Sequence, residues 1–441
     1  MTKVIVIGGG LAGVEATWQL VRQGIPVELF EMRPHYSTGA HHTGFLGELV
    51  CSNSLRAVDI GNAVGLLKEE MRRLSSLVME VALETRLPAG GALAVDRLEF
   101  AATITETLEN HPLVSIRREE VQELPKKGIV VVASGPLTST ALASDIGALL
   151  GEEFLSFFDA AAPIVTKESI DLSRAFFASR YGKGEADYLN CPLTEEEYES
   201  FFTALCSAER QKLNSLDKES FFEGCMPIEH MAERGRDTML FGPLKPVGLV
   251  DPQTGKRPFA VVQLRQDNRA GTLYNLVGFQ TRLKWGEQKR VFSLIPALAK
   301  AEFVRFGVMH RNTFINSRQL LAPTLQYHQR KELFFAGQFT GVEGYVESAA
   351  SGLVAGINAG RAFRGLDPLV FPINTAHGAL LNYITDASLA TFQPMNITFG
   401  LFPPLMNPPR DRKQRNLAYG QRALQELADF CDKNSVLTCV L

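Results

Sequence analysis

The chain has 441 residues, 45 % of them hydrophobic and 21 % charged, with a formal net charge of -3. That length suits two or three domains rather than one core, and the composition is that of an ordinary globular protein. No run of about 18 apolar residues occurs, which argues against a membrane span, and the slight acidic excess by itself argues against a nucleic-acid partner.

The first residues, MTKVIVIGGG, carry one lysine and a short apolar run. The run is too short for a secretory signal, so it reads as a buried first strand of a cytoplasmic protein. Residues 3–8 predict a strand, 11–23 a helix, and Ile25–Phe30 a second strand that ends at Glu31. Between strand and helix, Gly8, Gly10 and Gly13 form GxGxxG. Such glycines permit a tight turn and let a pyrophosphate approach the helix N-terminus, while a carboxylate at the end of the second strand accepts hydrogen bonds from the ribose. The motif sits in its proper βαβ context, so it predicts a dinucleotide site rather than a structural turn.

Further on, ELVCSNSL (48–55) places Cys51 among small polar residues, with His41 and His42 nearby as candidate bases. Six cysteines stand at 51, 191, 206, 225, 431 and 439. None is spaced as CxxC, so neither a metal site nor a disulfide scaffold is expected. Each cysteine is then a small buried hydrophobe or a reactive thiol. Cys191 and Cys206 look like core. Cys225, in FFEGCMPIEH, follows a glycine and precedes a proline by two residues, which suggests a loop or an element end.

Strands are also expected at Ile129–Ala133 and Leu333–Ala336, followed by the glycine loops ASGPLTS and AGQFTGVEGYVES. Ser348–Gly360 then reads as a helix of small residues. Strands that end in glycine loops line the cofactor crevice of doubly wound folds. The expected architecture is therefore α/β: a Rossmann-like, glutathione-reductase-like FAD-binding domain in two parts, residues 1–155 and 326–441, interrupted by an inserted α+β domain at 156–325. The return of the chain to its first domain favours FAD over a nicotinamide alone. A final helix is expected near 412–432, after prolines at 403, 404, 408 and 409.

Charge is segregated along the insert. Glu185 to Gly235 holds twelve acidic and four basic residues, and Lys245 to Arg290 nine basic and three acidic. A local basic face can bind phosphates while the whole protein stays acidic. The plainer alternative is that solvated faces simply balance each other.

Longer stretches carry a specific likeness: GGGLAGVEA (8–16), FEMRP (30–34), ELVCSNSLR (48–56), PAGGALAVDR (88–97), ADYLNCP (186–192), FGPLKPVGLVDP (241–252), FAVVQLRQ (259–266), MHRNTFIN (309–316) and GVEGYVESAASG (341–352). In these the chain resembles the folate- and FAD-dependent tRNA (uracil-5-)-methyltransferases, TrmFO, relatives of the larger GidA-type flavoproteins. The resemblance implies formation of ribothymidine at uridine 54 in the T loop of tRNA. Carbon would come from 5,10-methylenetetrahydrofolate, and electrons from reduced FAD recharged by NADH or NADPH. It implies cofactor contacts from Gly8, Gly9, Gly10, Leu11, Ala12, Gly13, Glu31, Arg33, Gly135, Gly337, Gly341, Tyr345 and Glu347, with Tyr345 a candidate to stack on the pterin. Two family cysteines match Cys51 and Cys225. Carbon 5 of uracil is a poor nucleophile until a thiolate adds to carbon 6, and a second group must then take the carbon-5 proton. The expected roles are Cys225 as nucleophile and Cys51 as base, with the reverse left open. Arg282, Lys284, Lys289, Arg290, His310 and Arg311, with Trp285 among them, are the candidate RNA contacts.

Four rivals remain at this point. A GidA-type enzyme acting on the wobble uridine would be longer. The same chemistry could serve a ribosomal RNA uridine. A non-catalytic flavin-bearing RNA-binding protein would not need both cysteines. A small-molecule FAD oxidoreductase would be indifferent to tRNA.

Overall fold

The computed structural model describes residues 2–151, 155–182, 185–211, 226–307, 309–388 and 392–436, with backbone alone for 155–160 and 309–311. The chain opens with β1 (Val4–Ile7), α1 (Leu11–Arg22) and β2 (Val27–Phe30), then adds α2 (Ala63–Arg73), α3 (Arg97–Glu109), β3 (Val114–Arg117) and β4 (Val130–Val132). The next strands are β5 (Ile164–Thr166), β6 (Phe176–Phe177), β7 (Tyr188–Leu193), β8 (Ala260–Gln266), β9 (Leu273–Leu276) and β10 (Phe303–Arg305). Among these strands lie α4 (Glu195–Ser207) and α5 (Trp285–Phe292). Finally come β11 (Gln326–Tyr327), β12 (Arg330–Phe335) and α6 (Tyr345–Phe363), and a last helix at Arg412–Asn434.

Two six-stranded sheets result. The first runs β11-β12-β4-β1-β2-β3 and is parallel except at its β11 edge. Its inner strands, VIVI and VVV, are continuous apolar runs because helices cover both faces. Leu333 of β12 pairs with Val130 of β4, so a late segment completes an early sheet. The second sheet runs β6-β7-β8-β9-β5-β10. One of its faces carries Leu189, Cys191, Val262 and Leu264 into a separate core with Tyr198, Phe201 and Leu205 of α4. A separate antiparallel ribbon pairs Leu155–Ala160 with Met309–Phe314.

The small-residue helix α6 has its reason in α1. A Cβ on Gly352 would stand 2.1 Å from the carbonyl oxygen of Ala12, and one on Gly356 2.6 Å from that of Ala16. Only glycine lets the two backbones cross so closely. Cys206 departs from expectation and lies exposed. The inward stripe of α4 is Tyr198, Phe201 and Leu205, and Cys206 is the next residue round the helix. Cys191 is buried as expected, and burial pushes its thiol up to about 12.

Lys68 of α2 is buried and donates from Nζ to the carbonyls of Leu55 (2.9 Å) and Arg56 (3.0 Å). Burial first, then the neighbouring Arg56, depresses it to about 7, against an opposing pull from Glu347. The unfolded chain holds that proton to about pH 10.4. Between about pH 7 and 10 the unfolded chain therefore binds more protons, and stability rises with pH. Denaturant midpoints of the parent should climb relative to Lys68→Met from pH 7 to 9.5. Parallel pH curves would contradict this.

Candidate functional site

The turn after β1 is built by steric exclusion. Gly8 has φ +103° and a Cβ there would meet Ala133 O at 2.4 Å, while one on Gly13 would stand 1.7 Å from Gly8 O. Gly10, which precedes α1, is different: a Cβ there would meet nothing within 4 Å. It faces a crevice of about 1020 Å³ of empty space, partly open to solvent. Gly8, Gly9, Gly10, Leu11, Ala12, Glu31, Arg33, Gly135, Gly337 and Tyr345 line this crevice. A helix N-terminus with free backbone N–H groups and an open space before it suits a pyrophosphate.

Glu31 accepts from Gly9 N (2.9 Å) and pairs with Arg33 Nε (2.8 Å). Burial alone would raise its carboxyl, but the Arg33 hydrogen bond and charge outweigh burial and hold it below the usual carboxylate range. A carboxylate ionised and fixed in this way can accept from ribose hydroxyls.

Three expected cofactor residues lie elsewhere. Gly13 is inside the turn. Gly341, at φ +84°, packs against Phe392. Glu347 is fully buried, ion-paired with Arg56, and accepts from Ile397 N at 3.0 Å. Sequence reading missed Ser134, Pro136 and Thr138 in the loop after β4, and Glu119 and Glu120 after β3, all of which line the crevice. The ASGPLTS break was the available signal for the first group. Glu119 and Glu120 had none.

Cys51 lies beside this crevice, whose wall includes Val50 and Tyr345. The buried Tyr345 hydroxyl accepts from Cys51 N (2.5 Å) and Ser52 N (3.2 Å), fixing the loop against the start of α6. Burial foremost, and then the charge of Cys51, keeps the Tyr345 phenol protonated far above its ordinary range. Cys225 lies outside the described residues.

The basic block is less free than its composition suggests. Arg282 is only 7 % exposed, with its backbone N–H on Glu229 (2.8 Å), so it does not belong to the outer face. Lys284 pairs with Glu209 (2.6 Å) and Arg290 with Glu287 (2.6 Å). Lys289 is exposed. Trp285 is 57 % exposed and stacks on Phe306, with centroids 5.7 Å apart and planes at 13°. His310 and Arg311 lie on the Met309–Phe314 strand, and their side chains are outside the described residues. Among the described residues, no helix is long and apolar enough to cross a membrane, and no three His, Cys, Asp or Glu side chains gather as metal ligands.

Comparison with known proteins gives consistent results. The family described as glucose inhibited division protein A matches residues 3–367. A protein of Desulforudis audaxviator named methylenetetrahydrofolate--tRNA-(uracil-5-)-methyltransferase TrmFO is 65 % identical over 96 % of this chain and 97 % of its own. A protein of the same name from Heliobacterium modesticaldum is 62 % identical over 98 % of this chain and 99 % of its own. Among solved structures, Aquifex aeolicus GidA superposes with a TM-score of 0.71 at 19 % identity, covering 99 % of this chain and 76 % of that one. The structural likeness supports the fold.

Proposed function

We infer that this chain, which belongs to the glucose inhibited division protein A family and stands among its TrmFO members, methylates carbon 5 of a uracil in tRNA using 5,10-methylenetetrahydrofolate and FAD. Identity above 60 % along nearly the full length of relatives that bear this activity in their name carries the reading.

The residues present fit FAD. Gly10 leaves open the space its pyrophosphate needs, and Glu31 offers a fixed carboxylate at the end of β2. We assign Gly8 to Ala12, Arg33, Gly135, Gly337 and Tyr345 to the same cofactor, since all border the crevice. Bound FAD, reduced by NADH or NADPH, supplies the two electrons that turn the folate's methylene into a methyl group.

The protein's own part is to activate the uracil. Cys225, as thiolate, adds to carbon 6, and the ring's electron pair makes carbon 5 nucleophilic. Once carbon 5 carries the new carbon, Cys51 takes its proton, and as the ring's 5,6 double bond re-forms the carbon 6–sulfur bond breaks and Cys225 leaves as thiolate. The position of the Cys51 loop at the crevice wall, on the Tyr345 hydroxyl, supports that role. We assign the RNA contact to the exposed Lys284, Lys289 and Arg290, and, on the family resemblance, to His310 and Arg311. Exposed ion pairs are worth about 0–1 kcal/mol, so a phosphate can displace the Lys284 and Arg290 partners cheaply. Trp285 offers a flat face to an unstacked base. The T-loop uridine at position 54 is the target we assign, and tRNA places the reaction in the cytoplasm.

The test is 5-methyluridine in digested RNA after incubation with unmodified tRNA, methylenetetrahydrofolate and NADPH. Product that requires all three supports the reading. Product in ribosomal RNA but not in tRNA would move the target. Flavin reduction without product in either RNA would overturn the reading.

A further inference from the structure

Register across the second sheet places Tyr188, Arg265, Asn275, Ile164 and Arg305 in one row on one face. Directly paired residues of neighbouring strands point the same way. The loop around Cys51 lies on this row. Arg265 donates to Asn53 Oδ1 (2.9 Å) and Ser52 Oγ (2.8 Å), and Arg305 donates to the carbonyl of Val50. From the FAD-binding side, Arg97 at the start of α3 donates to the carbonyl of Leu49 (2.6 Å) and pairs with Asp267 (2.9 Å).

The charges around the loop do not balance. Arg97 and Arg265 are buried, Arg305 is largely so, and Asp267 is the carboxylate paired with the group. Withdrawing a guanidinium from water costs several kcal/mol unless an anion compensates. Arg265 bonds Asn53, Ser52 and the Tyr188 side chain, and Arg305 a neutral carbonyl, so Asp267 is shared as the nearby carboxylate among Arg97, Arg265 and Arg305. The Nε atoms of Arg97 and Arg305 have no acceptor among the described residues. Among the described residues the other carboxylate near this group is Glu48 beside His42, and it is already engaged by Arg33 (3.0 Å) and by the backbone N–H groups of His42 and Thr43. Burial first, then Arg305, drives His42 toward neutrality, and Tyr345 stays a protonated phenol. Cys51 sits within this cluster, and its charge couples to both Arg97 and Arg305.

We propose that Arg305 and Arg97 are positioning residues that hold Cys51 as a thiolate in the resting protein, with Arg305 reaching it from the inserted sheet. The proposal rests on the assignment of Cys51 as the base, since only a deprotonated sulfur can accept the carbon-5 proton. It adds that the charge needed for this is divided between the two bodies of the protein. The thiol is then fully activated only where the inserted sheet lies against the 49–53 loop.

The test alkylates the flavin-loaded full chain with iodoacetamide from pH 5 to 10 and follows the Cys51 peptide by mass spectrometry. The parent Cys51 should titrate at least one pH unit below the free-cysteine value of about 8.5. Arg305→Gln should raise that midpoint by a unit or more, roughly tenfold slower alkylation near pH 6.5, and Arg305→Lys should restore most of the difference. A parent midpoint at or above about 8.5 overturns the proposal whatever the variants do. So does an unchanged midpoint in a flavin-loaded Arg305→Gln. The base assignment fails separately: a low midpoint in a protein whose Cys51→Ala variant still methylates would leave the thiolate standing and remove its role.

Discussion

Cys51→Ala and Cys225→Ala are each expected to cut 5-methyluridine formation by about 100- to 10,000-fold, the span a positioned acid–base or nucleophilic group contributes. Both variants should keep flavin and tRNA binding, because neither cysteine is assigned to those contacts. The two are told apart with tRNA containing 5-fluorouracil. Fluorine at carbon 5 cannot leave as a proton does, so the reaction stalls after the carbon-6 thioether has formed. In the presence of folate and NADPH, Cys51→Ala should still trap a covalent protein–RNA adduct, and Cys225→Ala should not. The opposite pattern exchanges the two roles. Normal methylation by both variants refutes the mechanism.

The second large effect concerns two glycines of one turn. Gly10→Val should leave the fold intact, since φ there is -75° and a Cβ meets nothing within 4 Å. The added side chain would instead occupy the pyrophosphate's place. FAD affinity should fall roughly 100-fold or more, about 3 kcal/mol, with an unchanged melting temperature for the flavin-free protein. Gly13→Ala should behave the other way. Its Cβ would stand 1.7 Å from a backbone oxygen that no rotamer change can move. Overpacking commonly costs about 1–3 kcal/mol and more where the backbone must shift, so the flavin-free protein itself should melt early. A Gly10→Val protein that purifies with full flavin and the parent's dissociation constant would refute the cofactor site.

The opening βαβ unit was legible because its information is local. Strand, glycine turn, helix and Glu31 all lie within one short stretch, and each residue's role follows from its neighbours in sequence. The surroundings of Cys51 were not legible for the opposite reason. Tyr345, Arg265 and Arg305 come from segments more than two hundred positions away in sequence, and nothing in ELVCSNSL indicates them. The basic block was legible only in part. Composition counts Arg282 and Lys284 alike, while the fold buries the first and pairs the second with Glu209. Cys206 repeats the point on a smaller scale, since one step along a helix turns a core position outward.

The late return of β12 to the first sheet governs how this protein is made. Val130 has no partner on its outer side until Leu333 arrives, 203 residues later (333 − 130). At about 5–20 residues per second the ribosome needs on the order of ten seconds or more to supply it. During that interval β4 presents an unpaired, wholly apolar edge, a hazard for aggregation. The second sheet, whose strands lie between Ile164 and Arg305, is complete before the first. Gly337 and Tyr345 also line the crevice, so on the proposed cofactor assignment the flavin is seated only after they have been made. The nascent chain therefore carries a finished second sheet beside a half-built first one, and on the proposed assignment flavin supply acts only after synthesis is nearly done.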